Sequence, residues 1–117
     1  MVVVQKESEE SLNQLFRALA DGTRRDILTR SLTDTPSVSA LAARYQMSFA
    51  AVQKHVAVLE RADLITKHQR GRERIVKGRI DAVRDVNRLL DEFEAIWRDR
   101  MQRFGDILAE PDEGEHP

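Results

Sequence analysis

Few residues in this chain have the type and spacing for a reaction. There is no cysteine, which excludes disulfides, thiolate nucleophiles and thiolate metal ligands. The three histidines, His55, His68 and His116, fall in three different parts of the sequence, whereas a zinc or nickel site needs several ligands that converge. Nothing sets a Ser, a His and an acid together. Ser37, Ser39 and Ser48 stand where helices are expected to begin, and capping accounts for their hydroxyls. No glycine-rich phosphate loop follows a strand. Neither a catalytic centre, nor a metal, nor a cofactor is expected, so the chain does not read as an enzyme.

The chemistry that the sequence does concentrate is positive charge. From Pro36 to Ile80 the cations are Arg44, Lys54, Arg61, Lys67, Arg70, Arg72, Arg74, Lys77 and Arg79, against Glu60, Asp63 and Glu73. This stretch carries +6 within a chain of net charge −1, so the flanks carry −7. A basic middle between acidic flanks is a local footprint for a polyanion, which the overall charge conceals.

The elements that position these cations follow from periodicity. Val2 to Gln5 is expected to be a loose start. Ser8, with Glu9 and Glu10 behind it, opens a first helix whose stripe is Leu12, Leu15, Phe16 and Leu19. Asp21-Gly22 separates it from a second helix that ends near Ser31 or Leu32. Residues 37–61 read as helix, turn, helix, with Val38, Leu41 and Ala42 inside the first of the pair. Val52, Val56 and Leu59 lie inside the second, while Ala50, Lys54, Ala57 and Arg61 face away with Gln53 on the flank. Small residues, Gln and cations on one face suit a helix that enters a groove and addresses base edges or phosphates.

Residues 64–79 change period. Ile65–Gln69 and Glu73–Lys77 flank Arg70-Gly71-Arg72, which predicts a two-stranded hairpin with Gly71 at positive φ and a basic tip. An arginine-rich tip fits a phosphate or minor-groove contact. From residue 81 to 109 apolar residues recur at steps of three and four, which predicts one long amphipathic helix, with a possible break at Gly105. Residues 110–117 form an acidic tail expected to be disordered. The fold class is therefore mainly α with a small β-hairpin, a winged helix-turn-helix within residues 8–109, ending in a dimerisation helix. With aromatics at only 5%, a small aliphatic core completed by a second copy is the simplest arrangement. Leu12, Leu15, Phe16, Leu89, Leu90, Phe93, Ile96, Trp97, Met101 and Phe104 are the expected dimer contacts. No apolar run reaches the roughly 20 residues of a membrane span, and a cytoplasmic location is the default.

These motifs carry a specific resemblance. Phe16–Leu28, Val38–Ala42, Met47–Ile65 and Arg70-Gly71-Arg72-Glu73 resemble, in order, the opening signature, third helix, recognition helix and wing tip of the ArsR-type (arsenic-repressor-like) transcription regulators. The resemblance spans about Leu12 to Arg79, and more loosely the terminal helix around Trp97. It implies a homodimeric repressor bound to a near-palindromic operator in double-stranded DNA, with two recognition helices in major grooves about 34 Å apart. Phe49, Ala50, Gln53 and Lys54 are the expected base-edge contacts. Ser48, His55, Arg70, Arg72 and Arg74 are the expected phosphate or minor-groove contacts, with His55 equally placed to pack the scaffold. Arg24 and Arg25 are divided between phosphate contact and surface pairing.

The chain departs from the family pattern at Gly22, where Pro is frequent, at Asp63, where Gly is frequent, and at Gln53, where Ser or Thr is frequent. The third helix has none of the cysteines of the metal sensors, and the terminal helix has no histidine, so metal sensing does not transfer. The residues identify no effector. Two other readings stand beside this one. The first is a regulator that responds to a small molecule held between terminal helices near Trp97. The second is an adaptor whose basic face binds an acidic protein.

Overall fold

The computed structural model describes residues 2–109. The order is α1 (Val2–Leu19), α2 (Gly22–Thr33), α3 (Val38–Arg44), α4 (Phe49–Arg61), β1 (Ile65–Arg70), β2 (Glu73–Gly78) and α5 (Ile80–Ala109). This is the mainly helical winged helix-turn-helix that the sequence implied. The chain divides into two units at Arg84–Asp85. The acidic tail and His116 lie outside the described residues.

Helix α1 begins at Val2, six residues before the expected Ser8 start. The loose Val2–Gln5 start is thus corrected to helix. Gln5, Lys6 and Glu7 are good helix formers, and a serine inside a helix costs only about 0.5 kcal/mol, so Ser8 need not end the run. The next three helices begin on their side-chain caps. Asp21 accepts from the Arg24 N–H at 3.0 Å, Ser37 from Ala40 at 3.0 Å and Ser48 from Ala51 at 3.1 Å. Each cap is worth about 1 kcal/mol.

In the first unit the core is aliphatic. Leu15 and Ala18 of α1, Ile27 of α2, Leu41 of α3, Val52, Val56 and Leu59 of α4, and Ile65 and Val76 of the hairpin are all buried. Leu15 was expected at a dimer interface; it is 6% exposed and belongs to the chain's own core. Leu12 and Leu89 are half-buried, whereas Phe16 is exposed.

The exit from α4 is a Schellman turn. The Leu64 N–H donates to the Leu59 carbonyl and the Asp63 N–H to the Glu60 carbonyl, both at 3.0 Å, with Asp63 at φ 59°. A glycine normally takes this left-handed position. Asp tolerates it better than most residues, so the departure at Asp63 is accommodated without changing the turn. Buried Leu64 then leads into β1.

The hairpin is antiparallel, with Lys67 opposite Val76, His68 opposite Ile75 and Arg70 opposite Glu73. Gly71 is at φ 62°, and Arg72 is not at positive φ. Gly at the first of two central positions is the type II′ turn, whose twist matches the strands. The Val76 N–H donates to the Pro36 carbonyl at 2.8 Å, and Ser37 bridges to Ile75. The loop that caps α3 is thereby hydrogen-bonded to the wing. At the base of the wing a Cβ on Gly78 would meet Leu32 Cδ2 at 2.7 Å, so β2 approaches α2 as closely as a glycine allows.

In the second unit α5 continues without a break through Gly105, which corrects the expected interruption. Phe93, Ile96, Trp97, Met101, Phe104, Ile107 and Leu108 are exposed along it. Arg88–Asp85, Arg98–Glu94 and Arg103–Asp99 pair along the helix, at the i,i+3 and i,i+4 spacings that stabilise an exposed helix modestly.

Candidate nucleic-acid interface

Helix α4 divides as its sequence requires. Val52, Val56 and Leu59 are at most 1% exposed, and they fix which face turns outward. Phe49 is 47% exposed although it is a large aromatic, and Ala50, Gln53 and Lys54 are exposed beside it. An aromatic with half its surface in water at the start of a helix is available for contact with a partner. The Ser48 oxygen accepts the Ala51 N–H, which leaves its hydroxyl proton for another acceptor.

The wing supplies the cations. Directly opposed residues of a hairpin share a face, and faces alternate along each strand. Lys67 and Val76 lie on one face with Gln69 and Arg74; Thr66 and Lys77 lie on the other with His68 and Ile75. The first face turns toward α3 and α4. Ser39, Phe49, Gln53, Lys67, Arg72 and Arg74, together with one carboxylate, Glu73, surround a groove of about 290 Å³ between the recognition helix and the wing, with Val38 and Val56 at its floor. Lys67 also pairs with Glu60 of α4 at 3.3 Å, which ties the wing to the helix. The Gln69 side-chain amide donates to the Gly71 carbonyl at 2.8 Å and closes the tip.

This groove brings together Phe49, Gln53, Arg72 and Arg74 of the expected contact set. Ala50 and Lys54 are on the exposed face of α4 but do not line it, and Arg70 lies on the opposite face of the wing. Ser39, expected as a helix cap but lying inside α3 behind the Ser37 cap, and Lys67, expected only as one of the cations, also line it. Lys67 carried a usable signal, since it stands two and three residues from Gln69 and Arg70 in a strand of alternating faces.

His55 is half-buried at the α1–α2 corner. Its Nδ1 lies 3.3 Å from Arg24 Nη1, and because a guanidinium only donates, the ring nitrogen accepts. Arg24 also donates from Nε to the Ala18 carbonyl and from Nη2 to the Arg17 carbonyl, each at 2.8 Å. Arg25 donates to the Leu19 carbonyl at 2.7 Å. The two arginines thus cap the end of α1, where unpaired carbonyls and the helix dipole favour cations. His55 sits with them on the scaffold side.

A second cluster positions α3. The Tyr45 hydroxyl donates to Asp26 Oδ2 at 2.5 Å, and Arg30 Nε donates to the same oxygen at 2.9 Å. These bonds, Tyr45 first, hold the Asp26 carboxyl below the usual carboxylate range. Burial, and then the adjacent carboxylate, push the Tyr45 phenol up. The end of α3 is thereby fastened to α2. Asp21 is also lowered, chiefly by the Arg24 N–H that it caps.

No protein-family model and no curated protein matches this chain. Solved structures do. The crystal structure of an ArsR family transcriptional regulator is 34% identical; the match covers 77% of this chain and 93% of that one, with a TM-score of 0.73. The chain belongs to the ArsR family of transcriptional regulators. An ArsR-like transcriptional regulator from Rhodococcus sp. RHA1 is 29% identical over 87% of this chain and 94% of that chain, with a TM-score of 0.77. A homodimeric winged helix-turn-helix DNA-binding domain from Mycobacterium bovis shares the fold at 20% identity and a TM-score of 0.61, covering 81% of this chain and 85% of that one. In ArsR terms α3 and α4 are the helix-turn-helix and β1–β2 is the wing. Among the described residues of this ArsR-family chain, no three of His, Cys, Asp and Glu come together as metal ligands. None of its described helices is long and apolar enough to cross a membrane.

Proposed function

We propose that this ArsR-family regulator binds a near-palindromic operator as a homodimer and represses transcription by covering it. The observation that carries the reading is the groove in which Phe49 and Gln53 of α4 face Arg72 and Arg74 of the wing. A helix with an exposed amide and aromatic can read base edges, while a cationic hairpin beside it holds the backbone. Gln53 can bond adenine through both atoms of its amide, and Phe49 and Ala50 suit thymine methyls. Lys54 adds a further base-edge contact, Ser48 and Arg70 supply further phosphate contacts, and His55 supports them from the scaffold.

Pairing runs through the exposed stripe of α5, from Leu90 through Phe93, Ile96, Trp97, Met101 and Phe104, together with Phe16 of α1. Trp97 is 57% exposed and Phe93 is 59% exposed, and each would add about 2–3 kcal/mol if covered.

Selection of bound duplexes from a random library tests this reading. Enriched duplexes are expected to contain two inverted half-sites about one helical turn apart, and Gln53→Ala is expected to lose the enrichment while keeping affinity for mixed sequence. Enrichment of single half-sites would overturn the dimeric part. Equal enrichment by Gln53→Ala would overturn the assignment of Gln53.

A further inference from the structure

One guanidinium joins three helices at the α1–α2 corner. Arg24 of α2 donates from Nε to the Ala18 carbonyl and from Nη2 to the Arg17 carbonyl, both in the last turn of α1. From Nη1 it donates to His55 Nδ1 of α4 at 3.3 Å. His55 follows Val52 by three residues and precedes Leu59 by four, so it stands at the edge of the face that α4 buries. Gln53, on the exposed face, is two residues away. Arg17 and Ala18 directly follow Phe16, which the proposed pairing covers. The helix assigned to the second copy and the helix assigned to DNA are thus held by the same side chain.

This tie dictates where the ring carries its proton. A guanidinium has only donors, so Nδ1 presents a lone pair and the proton of the neutral ring sits on Nε2. An imidazolium has donors at both nitrogens. It cannot accept the Arg24 bond, and it sets two cations against each other. Among the described residues, the charged side chains that face the ring are Arg24 and Asp21, and they oppose one another. The Asp21 carboxyl is held below the usual carboxylate range by the Arg24 N–H that it caps and, less, by the charge of His55. Of the other cations on neighbouring elements, Arg25 is turned to the Leu19 carbonyl, Arg44 lies by Asp26 and Lys67 is paired with Glu60. Protonation therefore exchanges a bond that spans α1, α2 and α4 for an attraction to the α2 cap, and α1 loses its link to α4.

We infer that Arg24 is a positioning residue that holds the recognition helix through neutral His55, and that a proton taken up at His55 Nδ1 releases α4 from α1 and weakens binding to paired half-sites. This rests on the proposed reading of α4 as the helix that reads DNA. The direction is opposite to that of charge alone, since an added cation by itself strengthens binding to a polyanion.

Two measurements on the full chain test it. Long-range proton–nitrogen correlation of the imidazole ring at neutral pH reads the tautomer directly. Nδ1 is expected bare with the proton on Nε2; a proton on Nδ1 overturns the inference. Fluorescence anisotropy then gives the affinity for a duplex carrying two enriched inverted half-sites, at fixed salt, at about pH 7.5 and about pH 5.5, a span in which imidazoles titrate. The native protein is compared with His55→Asn, whose amide oxygen stands where Nδ1 does and takes up no proton. His68 and His116 are present in both proteins, so the comparison isolates His55. The loss of one hydrogen bond is expected to lower native affinity at the acid pH roughly 3- to 10-fold further than that of His55→Asn.

Equal pH dependence in the two proteins, with preference for the paired half-sites intact, overturns this inference and leaves the reading of α4 standing. No preference over mixed-sequence DNA at either pH overturns the reading of α4 itself. A native affinity that falls only in step with helical circular dichroism is unfolding, and it too overturns the inference.

Discussion

Replacing Arg24 by alanine separates scaffold from DNA contact at a position where the sequence left both open. In the structure its guanidinium donates to the Ala18 and Arg17 carbonyls at 2.8 Å and to His55 Nδ1 at 3.3 Å. A hydrogen bond from a charged donor is worth about 1.5–3 kcal/mol when buried. Arg24 is half-buried, and the freed carbonyls can reach water, so each bond falls below that range at about 0.7–1 kcal/mol, and the three together stabilise by about 2–3 kcal/mol. Arg25 makes one bond, to the Leu19 carbonyl at 2.7 Å, on an exposed side chain. Its loss should cost about 0.5–1 kcal/mol. For a domain of this size, Arg24→Ala is expected to lower the melting temperature by roughly 10–15 °C and Arg25→Ala by about 5 °C or less. Both are read at one protein concentration, because association shifts the midpoint. Equal shifts would refute the reasoning. So would an Arg24→Ala protein of native stability whose DNA affinity has a flatter salt dependence, since that is the signature of a phosphate contact.

Three other perturbations follow from the same geometry. Asp63→Gly relieves a non-glycine residue at φ 59° and gives up only an exposed 3.8 Å pair with Arg79, so denaturant unfolding should show a gain of about 0.5–1 kcal/mol. Asp26 has a lowered pKa, so its contribution to stability is fully present above the unfolded value of 3.8 and is lost as pH falls through the lower folded value. Asp26→Asn should therefore be less stable than the native protein at pH 7, with the difference narrowing below about pH 4 in urea melts. Phe93→Lys places a charge in the exposed α5 stripe twice per dimer; at about 2–3 kcal/mol per copy, sedimentation should show dimer association weakened by roughly three to four orders of magnitude.

The element order was legible because each boundary has local chemistry. Asp21 caps at the expected break between α1 and α2, Ser37 rather than Ser39 caps α3, Ser48 caps α4 as expected, Gly71 takes the positive φ that the hairpin needs, and Asp63 bears the strain of a missing glycine. The exposed face of α4 was legible because Val52, Val56 and Leu59 define its opposite. Other features depend on which chain segments meet in space. The roles of Arg24 and Arg25 follow from carbonyls six and seven residues away across a turn. Leu15 shares a helical stripe with Phe16, yet one is core and the other is exposed, since a stripe does not say which edge a neighbouring helix covers. The helix upstream of Ser8 has no boundary signal in the sequence, because a good capping residue is also tolerated inside a helix. Lys67 and Lys77 lie on opposite faces of the wing through strand register alone, and a one-residue slip would exchange their faces.

The proposed DNA surface of this ArsR-family regulator is α4 together with the wing. Amide chemical-shift mapping of the full chain during titration with a DNA duplex tests it most directly. Perturbations are expected at Ser48–Lys54 and at Arg70–Arg74, with Arg24, Tyr45 and the 93–104 stretch of α5 unmoved. Perturbations centred on α5 or on the Asp26–Tyr45 cluster, with residues 48–54 unmoved, would contradict it.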